Sequence, residues 1–135
     1  MALDRRLGAL YGGEGRCRFV VWAPKARQVE VHIHAPDERF VALQPGDRGY
    51  FEGSLFSVAP GSTYKYRLDG NDEWPDPASR SQPDGPHGPS AVIDPAAFAW
   101  TDAAWRGIPH DRLVLYELHI GTFSEAGTFD GVIPY

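Results

Sequence analysis

The chain has 135 residues, of which 42% are hydrophobic and 13% aromatic, so it holds enough apolar material for one packed domain with a short extension and is not a disordered segment. Its 13 basic and 18 acidic residues give a formal net charge of −5 without any basic cluster, which excludes nucleic acid as an expected partner. Fifteen glycines and twelve prolines fall between short apolar runs, and this spacing favours an all-β body with many turns.

Cysteine usage and the N-terminus bear on the cellular compartment. Cys17 is the only cysteine, so no internal disulfide can form and a reducing compartment is expected. The segment Met1 to Tyr11 has no apolar core of signal-peptide length, and no run approaches a membrane span. The sequence therefore predicts a cytoplasmic protein without a membrane partner.

Short segments with strand patterns follow one another at close spacing. They are Arg16–Trp22, Val29–His34, Arg39–Gln44, Tyr50–Val58, Thr63–Gly70 and Ala91–Ile93. Turn clusters such as Ala35-Pro36-Asp37 and Pro60-Gly61 separate them. Together they predict an immunoglobulin-like β-sandwich over residues 1–95, without the cysteine pair of an antibody domain.

Alternation assigns faces to three of these strands. The inward positions are Cys17, Phe19 and Val21, then Val29, Val31 and Ile33, then Tyr64, Tyr66 and Leu68. Glu30, His32 and His34 take the outward face of the second strand, and Lys65, Arg67 and Asp69 that of the third. For Arg39–Gln44, periodicity does not decide the face.

The C-terminal third has a different character. Residues 74–89 are too proline-rich for any strand interior, and residues 96–112 are a predicted linker. The nearly unbroken apolar run Leu113–Phe123 is typical of a strand buried on both faces in a parallel sheet. Such a strand needs neighbours, so residues 113–135 are predicted to begin a second domain, and the chain to be the front of a longer protein, cut just after that strand.

Few polar residues are placed for chemistry. His32 and His34 share a strand face, but the pattern puts no third metal ligand beside them, and solvated surface histidines are favoured. Glu117 and His119 share a face of the apolar run, where they either line a pocket at a barrel strand end or form a hydrogen-bonded structural pair. The loop aspartates Asp72, Asp76, Asp84 and Asp94 sit beside proline, tryptophan or glycine and are explained as turn formers.

Exposed aromatic side chains are the stronger candidates for a binding site, since sugar rings stack on flat aromatic faces. Trp22, Tyr50 and Trp74 lie at strand ends or in loops, and Lys25 and Asp72 could supply polar contacts to hydroxyl groups. Covering a core edge or packing on a neighbouring domain is the alternative. That alternative is favoured for Trp22 and evenly balanced for Trp74.

Two motifs carry a family resemblance. Phe19–Pro24 with Val29–Val31, and Tyr64–Gly70, resemble the N-terminal sandwich of glycogen branching enzymes and isoamylases, the family 48 carbohydrate-binding-module-like branch of glycoside hydrolase family 13. Asp76–Ser90, together with Tyr116–Ser124 and Gly127–Asp130, is more similar to the maltooligosyltrehalose trehalohydrolase family.

This resemblance implies a parent enzyme that hydrolyses the α-1,4 bond next to the trehalose unit of maltooligosyltrehalose, with a retaining mechanism. The resemblance also implies that residues 113–135 are the start of a truncated (β/α)8 catalytic barrel. The family's nucleophile and acid/base come from later barrel strands, so no catalytic residue is carried onto this chain, and no cofactor or metal is implied. The chain is expected to be inactive alone and to scaffold the missing barrel of the same protein. Alternatives are an α-glucan-binding module, or the N-terminal domain of a branching or debranching enzyme.

Overall fold

The computed structural model describes residues 7–135, and the chain divides between Ala99 and Trp100 into two compact units. Residues 1 to 6, which include the start of the predicted sandwich and half of the N-terminal segment considered above, lie outside the described residues. Between residues 7 and 135 no helix is long and apolar enough to cross a bilayer.

The first unit is built from short strands in two layers. In chain order they are β1 (Gly8–Tyr11), β2 (Cys17–Trp22), β3 (Val29–Ala35), β4 (Arg39–Ala42), β5 (Gln44–Pro45), β6 (Tyr50–Leu55), β7 (Thr63–Leu68), β8 (Asp72–Trp74) and β9 (Ser90–Ala91). One sheet has the order β1-β2-β6-β5, and the other has β4-β3-β7-β8 with β9 also paired to β7. All pairs are antiparallel. The predicted all-β, immunoglobulin-like sandwich is confirmed.

The core lies between the two sheets and follows the predicted alternation. The buried side chains include Cys17, Phe19 and Val21 of β2, Val29, Val31 and Ile33 of β3, and Tyr64 and Tyr66 of β7. Phe19 packs edge-on against Tyr64, with ring centroids 4.9 Å apart. Burial raises the pKa of the Cys17 thiol to about 12, so this cysteine stays protonated and acts as a small apolar side chain.

The segment predicted as one strand, Arg39–Gln44, is instead divided between the two sheets. Its first part, β4, pairs with β3, and its last residue begins β5, which pairs with β6. Leu43, between the two, is buried in the core and donates its backbone N–H to the Val29 carbonyl at 2.8 Å. The residues before and after Leu43 pair with different sheets, which is why a single alternating face could not be assigned.

The second unit, Trp100–Tyr135, has little regular structure. It contains a 3₁₀ turn at His110–Arg112 and one turn of helix, α1 (Ile120–Phe123). Phe123 stacks edge-on with Tyr116 and Tyr135, at centroid distances of 6.4 and 5.8 Å.

The predicted buried strand Leu113–Phe123 does not form in this chain. Residues 113–119 have no regular secondary structure, and α1 occupies the end of the run. A strand needs partners for its backbone N–H and C=O groups, and no strand among residues 7–135 pairs with this segment. Whether the run is the first barrel strand of a longer protein, and whether domains divide at residues 95 and 112, stay predictions.

Phe19→Ala tests the assignment of the core. We expect a loss of about 3 to 5 kcal/mol in the free energy of unfolding, because the substitution leaves a cavity beside Tyr64. Urea unfolding followed by tryptophan fluorescence measures the loss. The control is Phe56→Ala, at a side chain that is 70% exposed, which should change stability by less than about 0.5 kcal/mol. Equal effects of the two substitutions would contradict the assignment.

The apolar run of the second unit should promote self-association. Val114 and Leu115 are 88% and 84% exposed, and consecutive exposed apolar side chains favour contact with a second copy. Light scattering should report concentration-dependent association of the chain, reduced by Leu115→Lys and by removal of residues 113–135. Identical monomeric behaviour of all three proteins would refute this.

Candidate functional site

An open cleft of about 510 Å³ lies at one end of the sandwich. It is bounded by the end of β2, by β7 and β8, and by the proline-rich loop that follows β8. Trp22 and Trp74 both line it, and they are 56% and 58% exposed. Two large flat apolar surfaces are therefore presented to solvent at a single concave site, beside the polar amide of Gln82.

Trp22 is held in place by the turn that precedes β6. Its indole N–H donates to the Arg48 carbonyl at 3.0 Å, and the next backbone N–H, of Ala23, donates to the Gly49 carbonyl at 2.8 Å. Gly49 has a φ of +81°, and a Cβ there would come within 2.5 Å of Pro24 Cα. Only glycine fits this close approach, so the turn fixes the Trp22 indole and the two residues that follow it.

Trp74 is the last residue of β8, a short edge strand. It lies opposite Tyr66 in the β7–β8 register and therefore on the core-facing side of the second sheet. Beyond Trp74 the prolines of the loop begin, and Pro75, Pro77 and Pro86 contribute to the wall of the cleft.

Asp76 fastens this loop to the sandwich. The side chain is buried, and its Oδ2 accepts hydrogen bonds from the Tyr64 hydroxyl at 2.6 Å and the Tyr66 hydroxyl at 3.4 Å. Oδ1 accepts from the Ala78 backbone N–H at 2.8 Å, while the backbone N–H of Asp76 donates to Ser90 Oγ at 3.0 Å. One residue thus joins the loop to β7 and β9.

Burial dominates the protonation behaviour of this network. It raises the pKa of the Asp76 carboxyl, and the hydrogen bonds from Tyr64, Ala78 and Tyr66 offset only part of the increase. Burial also raises the pKa of both tyrosine hydroxyls, with the nearby Asp76 carboxylate adding to the effect. The tyrosines therefore remain donors at any physiological pH.

Comparison with known proteins identifies the family. Residues 6–97 match carbohydrate-binding module 48, the isoamylase N-terminal domain. The chain belongs to this family. The predicted resemblance to the family 48 modules is confirmed.

Several relatives of the chain are named malto-oligosyltrehalose trehalohydrolase. The protein of Saccharolobus solfataricus is 47% identical over 85% of the chain and 20% of its own length, and that of Deinococcus radiodurans is 43% identical over 96% of the chain and 22% of its own length. A solved structure described as a putative alpha amylase from Salmonella typhimurium is 32% identical, with a TM-score of 0.81 over 98% of the chain and 22% of its own length. The chain spans about a fifth of each of these proteins.

The cleft of this family 48 module includes only part of the predicted sugar site. Trp22 and Trp74 line it, whereas Tyr50, Lys25 and Asp72 do not. Tyr50 is half-buried opposite Trp22 in the β2–β6 register, and Lys25 is exposed in the turn after β2. Roles for these residues in sugar binding stay predictions.

Glu117 and His119 are both exposed in the second unit, on a segment without strand structure. The His119 ring bonds the Thr122 hydroxyl through Nδ1, at 3.1 Å. Their predicted place on a buried strand is therefore not realised, because that strand does not form, and the pocket-lining role stays a prediction.

Sequence reasoning was incomplete for Asp76 and wrong for His32. Asp76, assigned only to a turn, does bond a turn N–H but is also the buried partner of two tyrosines. His32, expected to be solvated, is only 6% exposed, and the Phe40 and His34 rings pack against its ring. For Asp76 a signal existed, since two inward tyrosines need acceptors for their hydroxyls.

Asp76→Asn tests the carboxyl network through its pH dependence. The folded chain has the higher Asp76 pKa, so between the ordinary carboxyl pKa and the raised value it binds a proton that the unfolded chain has released. The contribution of Asp76 to the free energy of unfolding should thus be greatest below the ordinary pKa and decrease as the pH rises through the raised pKa. The advantage of wild type over Asp76→Asn, about 2 kcal/mol at acid pH, should shrink accordingly.

Urea unfolding at stepped pH measures this difference, and the carboxyl ¹³C shift of Asp76 reports its titration directly. Asp84→Asn, at an exposed residue of the same loop, is the control and should show no such trend. A carboxyl that titrates at or below its ordinary pKa would contradict the assignment.

Proposed function

We propose that this chain is the N-terminal accessory domain of a glycoside hydrolase of the maltooligosyltrehalose trehalohydrolase type, and that its Trp22–Trp74 cleft binds α-glucan. The observation that carries the proposal is the pair of half-exposed indoles at one concave site in a family 48 module. The sequence similarity to trehalohydrolases over almost the whole chain supports the choice of enzyme type.

The chemistry of the cleft suits a linear α-glucan. The axial C–H groups of a glucose ring form an apolar face that packs on an indole, while hydroxyl groups at the ring edge bond polar groups such as the Gln82 amide. Because the turn before β6 and the Asp76 network fix the two walls, little conformational entropy would be lost on binding.

In the parent enzyme the module would hold maltooligosyltrehalose, or another α-glucan, near a catalytic barrel. Hydrolysis of the α-1,4 bond beside the trehalose unit with retention requires two carboxyl groups about 5 to 5.5 Å apart. We place that pair outside this chain and expect no hydrolysis by residues 1–135 alone.

A buried free thiol and the lack of any second cysteine suit a cytoplasmic enzyme.

A second function, docking on the catalytic barrel of the same protein, is favoured by one observation. Proline and apolar side chains make up most of the cleft, including Val21, Leu68 and Pro77, and a surface of that kind also fits the face of a neighbouring domain. The two functions differ in what the isolated chain does with free sugar. If the module is instead the N-terminal domain of a branching or debranching enzyme, the same cleft would lie beside a different barrel.

An NMR titration with a linear maltooligosaccharide distinguishes them. We expect saturable shifts of the Trp22 and Trp74 indole N–H signals, and about a tenfold loss of affinity in Trp74→Ala, since one aromatic contact contributes about 1 to 1.5 kcal/mol. The matched control is Trp105→Ala, in the exposed second unit, which should bind as wild type does. If none of the four indole N–H signals shifts at high sugar concentration, barrel docking remains as the function of the cleft.

A further inference from the structure

Two histidines and two glutamates meet on the outer face of the second sheet, away from the cleft. His32 and His34 come from β3, Glu73 from β8 on the far side of β7, and Glu38 from the turn before β4. Glu73 Oε1 lies 2.8 Å from His32 Nδ1, and Glu73 Oε2 lies 3.8 Å from His34 Nε2. His32 Nε2 lies 3.0 Å from Glu38 Oε1.

If both histidines are neutral, this cluster has too few hydrogen-bond donors for its acceptors. A neutral imidazole carries one N–H, yet both ring nitrogens of His32 face a carboxylate oxygen. If Nε2 donates to Glu38, then Nδ1 presents a lone pair to Glu73. His34 Nε2 is buried as well and has no hydrogen-bond partner. Either a bound cation or a second proton on the His32 ring is needed to offset the contact between the Nδ1 lone pair and the Glu73 carboxylate.

Packing holds the two rings in place. The His32 ring stacks on Phe40 at a centroid distance of 3.9 Å, and its centroid lies 4.0 Å from that of the His34 ring, which is tilted by 34°. The β3–β7 register is irregular between Ile33 and Ala35, so His34 lies in a β-bulge, a device that re-aims a side chain. The donor atoms are thus largely fixed in position before any ligand arrives.

We propose that His32 Nδ1, His34 Nε2 and a Glu73 carboxylate oxygen form a binding site for a divalent transition metal, with Zn²⁺ the best match. Two imidazole nitrogens and one carboxylate oxygen are a preferred Zn²⁺ donor set. One ligand atom from each residue lies within 4.8 Å of the others. Tetrahedral Zn²⁺ ligands are about 3.4 Å apart, so small side-chain rotations complete the geometry. A water molecule would take the fourth position.

Glu38 has a separate role in this site. By accepting the Nε2–H of His32, it fixes the tautomer that turns the Nδ1 lone pair toward the metal. Lys65 acts against binding, because it lies opposite His32 in the β3–β7 register and brings a like charge to the same face of the sheet. The site would join β8 to β3 across β7 and so immobilise the edge strand that carries Trp74.

Calorimetric titration of the untagged chain with ZnCl₂ at neutral pH tests the proposal. We expect one Zn²⁺ per chain with micromolar or tighter affinity, and the ring ¹⁵N signals of His32 Nδ1 and His34 Nε2 should shift on binding while those of His87 do not. The ¹⁵N measurement needs no substitution, so it holds even where a variant fails to fold.

A graded set of variants adds specificity. His34→Gln and Glu73→Gln should each weaken binding by more than about 100-fold, and Glu38→Gln by about tenfold, as expected for a group that acts through a ligand. Lys65→Met should strengthen binding about five- to tenfold, since it removes a like charge. His87→Gln, at an exposed loop histidine, is the matched control.

Two results would overturn the proposal. One is the absence of saturable Zn²⁺ binding up to millimolar concentration, which would leave a protonated His32 bonded to both glutamates as the explanation of the cluster. The other is equal affinity in wild type and a folded His34→Gln variant. Neither result bears on the sugar cleft, which the maltooligosaccharide titration tests independently.

Discussion

The conformation of the proline-rich loop depends on one buried carboxyl group. Prolines lack the backbone N–H that a sheet would use, so the loop after β8 cannot be held by regular strand pairing. Asp76 supplies the attachment instead, through two tyrosine hydroxyls of the core and the Ser90 side chain. Removing the carboxyl charge from water costs free energy, and hydrogen bonds from the Tyr64 and Tyr66 hydroxyls and the Ala78 N–H offset that cost in part.

The rest of the loop is built outward from this point. Ser81 accepts through its carbonyl from the Ala91 N–H and from the Ser79 hydroxyl, both at 2.8 Å. Arg80 reaches back to β1, where its guanidinium donates to the Ala9 carbonyl at 3.3 Å. Three strands thus hold a segment that forms no sheet of its own, and the wall of the cleft opposite Trp22 is correspondingly fixed.

Sequence alone was sufficient for the features that depend on local periodicity. The alternating residues of β2, β3 and β7 gave the correct inward faces. The short strands β1 and β8 were not predicted, and β4 and β5 were predicted as one strand. Features that depend on which strands become neighbours were not accessible. Glu73 reaches His32 only because β8 folds back on β7, a pairing that involves three residues and leaves no periodic signal. The inward tyrosines indicated that their hydroxyls need a buried acceptor, but no local pattern showed that the acceptor is Asp76.

The same distinction explains the failure at Leu113–Phe123. Composition reports that a segment is apolar enough to be buried, whereas formation of a strand requires backbone partners that the segment itself does not contain. Residues 113–119 find none among the described residues. The Trp22–Trp74 pair is the converse case, since their strand-end positions suggested exposure and the fold brought both to one cleft.

The pleat of strand β8 links the two faces of the second sheet. Neighbouring side chains of a strand point to opposite faces, so Glu73 faces the histidines while Trp74 faces the cleft, one peptide bond away. A metal on one face and a sugar on the other would therefore share a backbone, and any coupling free energy between them must be reciprocal. If the bound ion changes the affinity for glucan by some factor, bound glucan must change the affinity for the ion by the same factor.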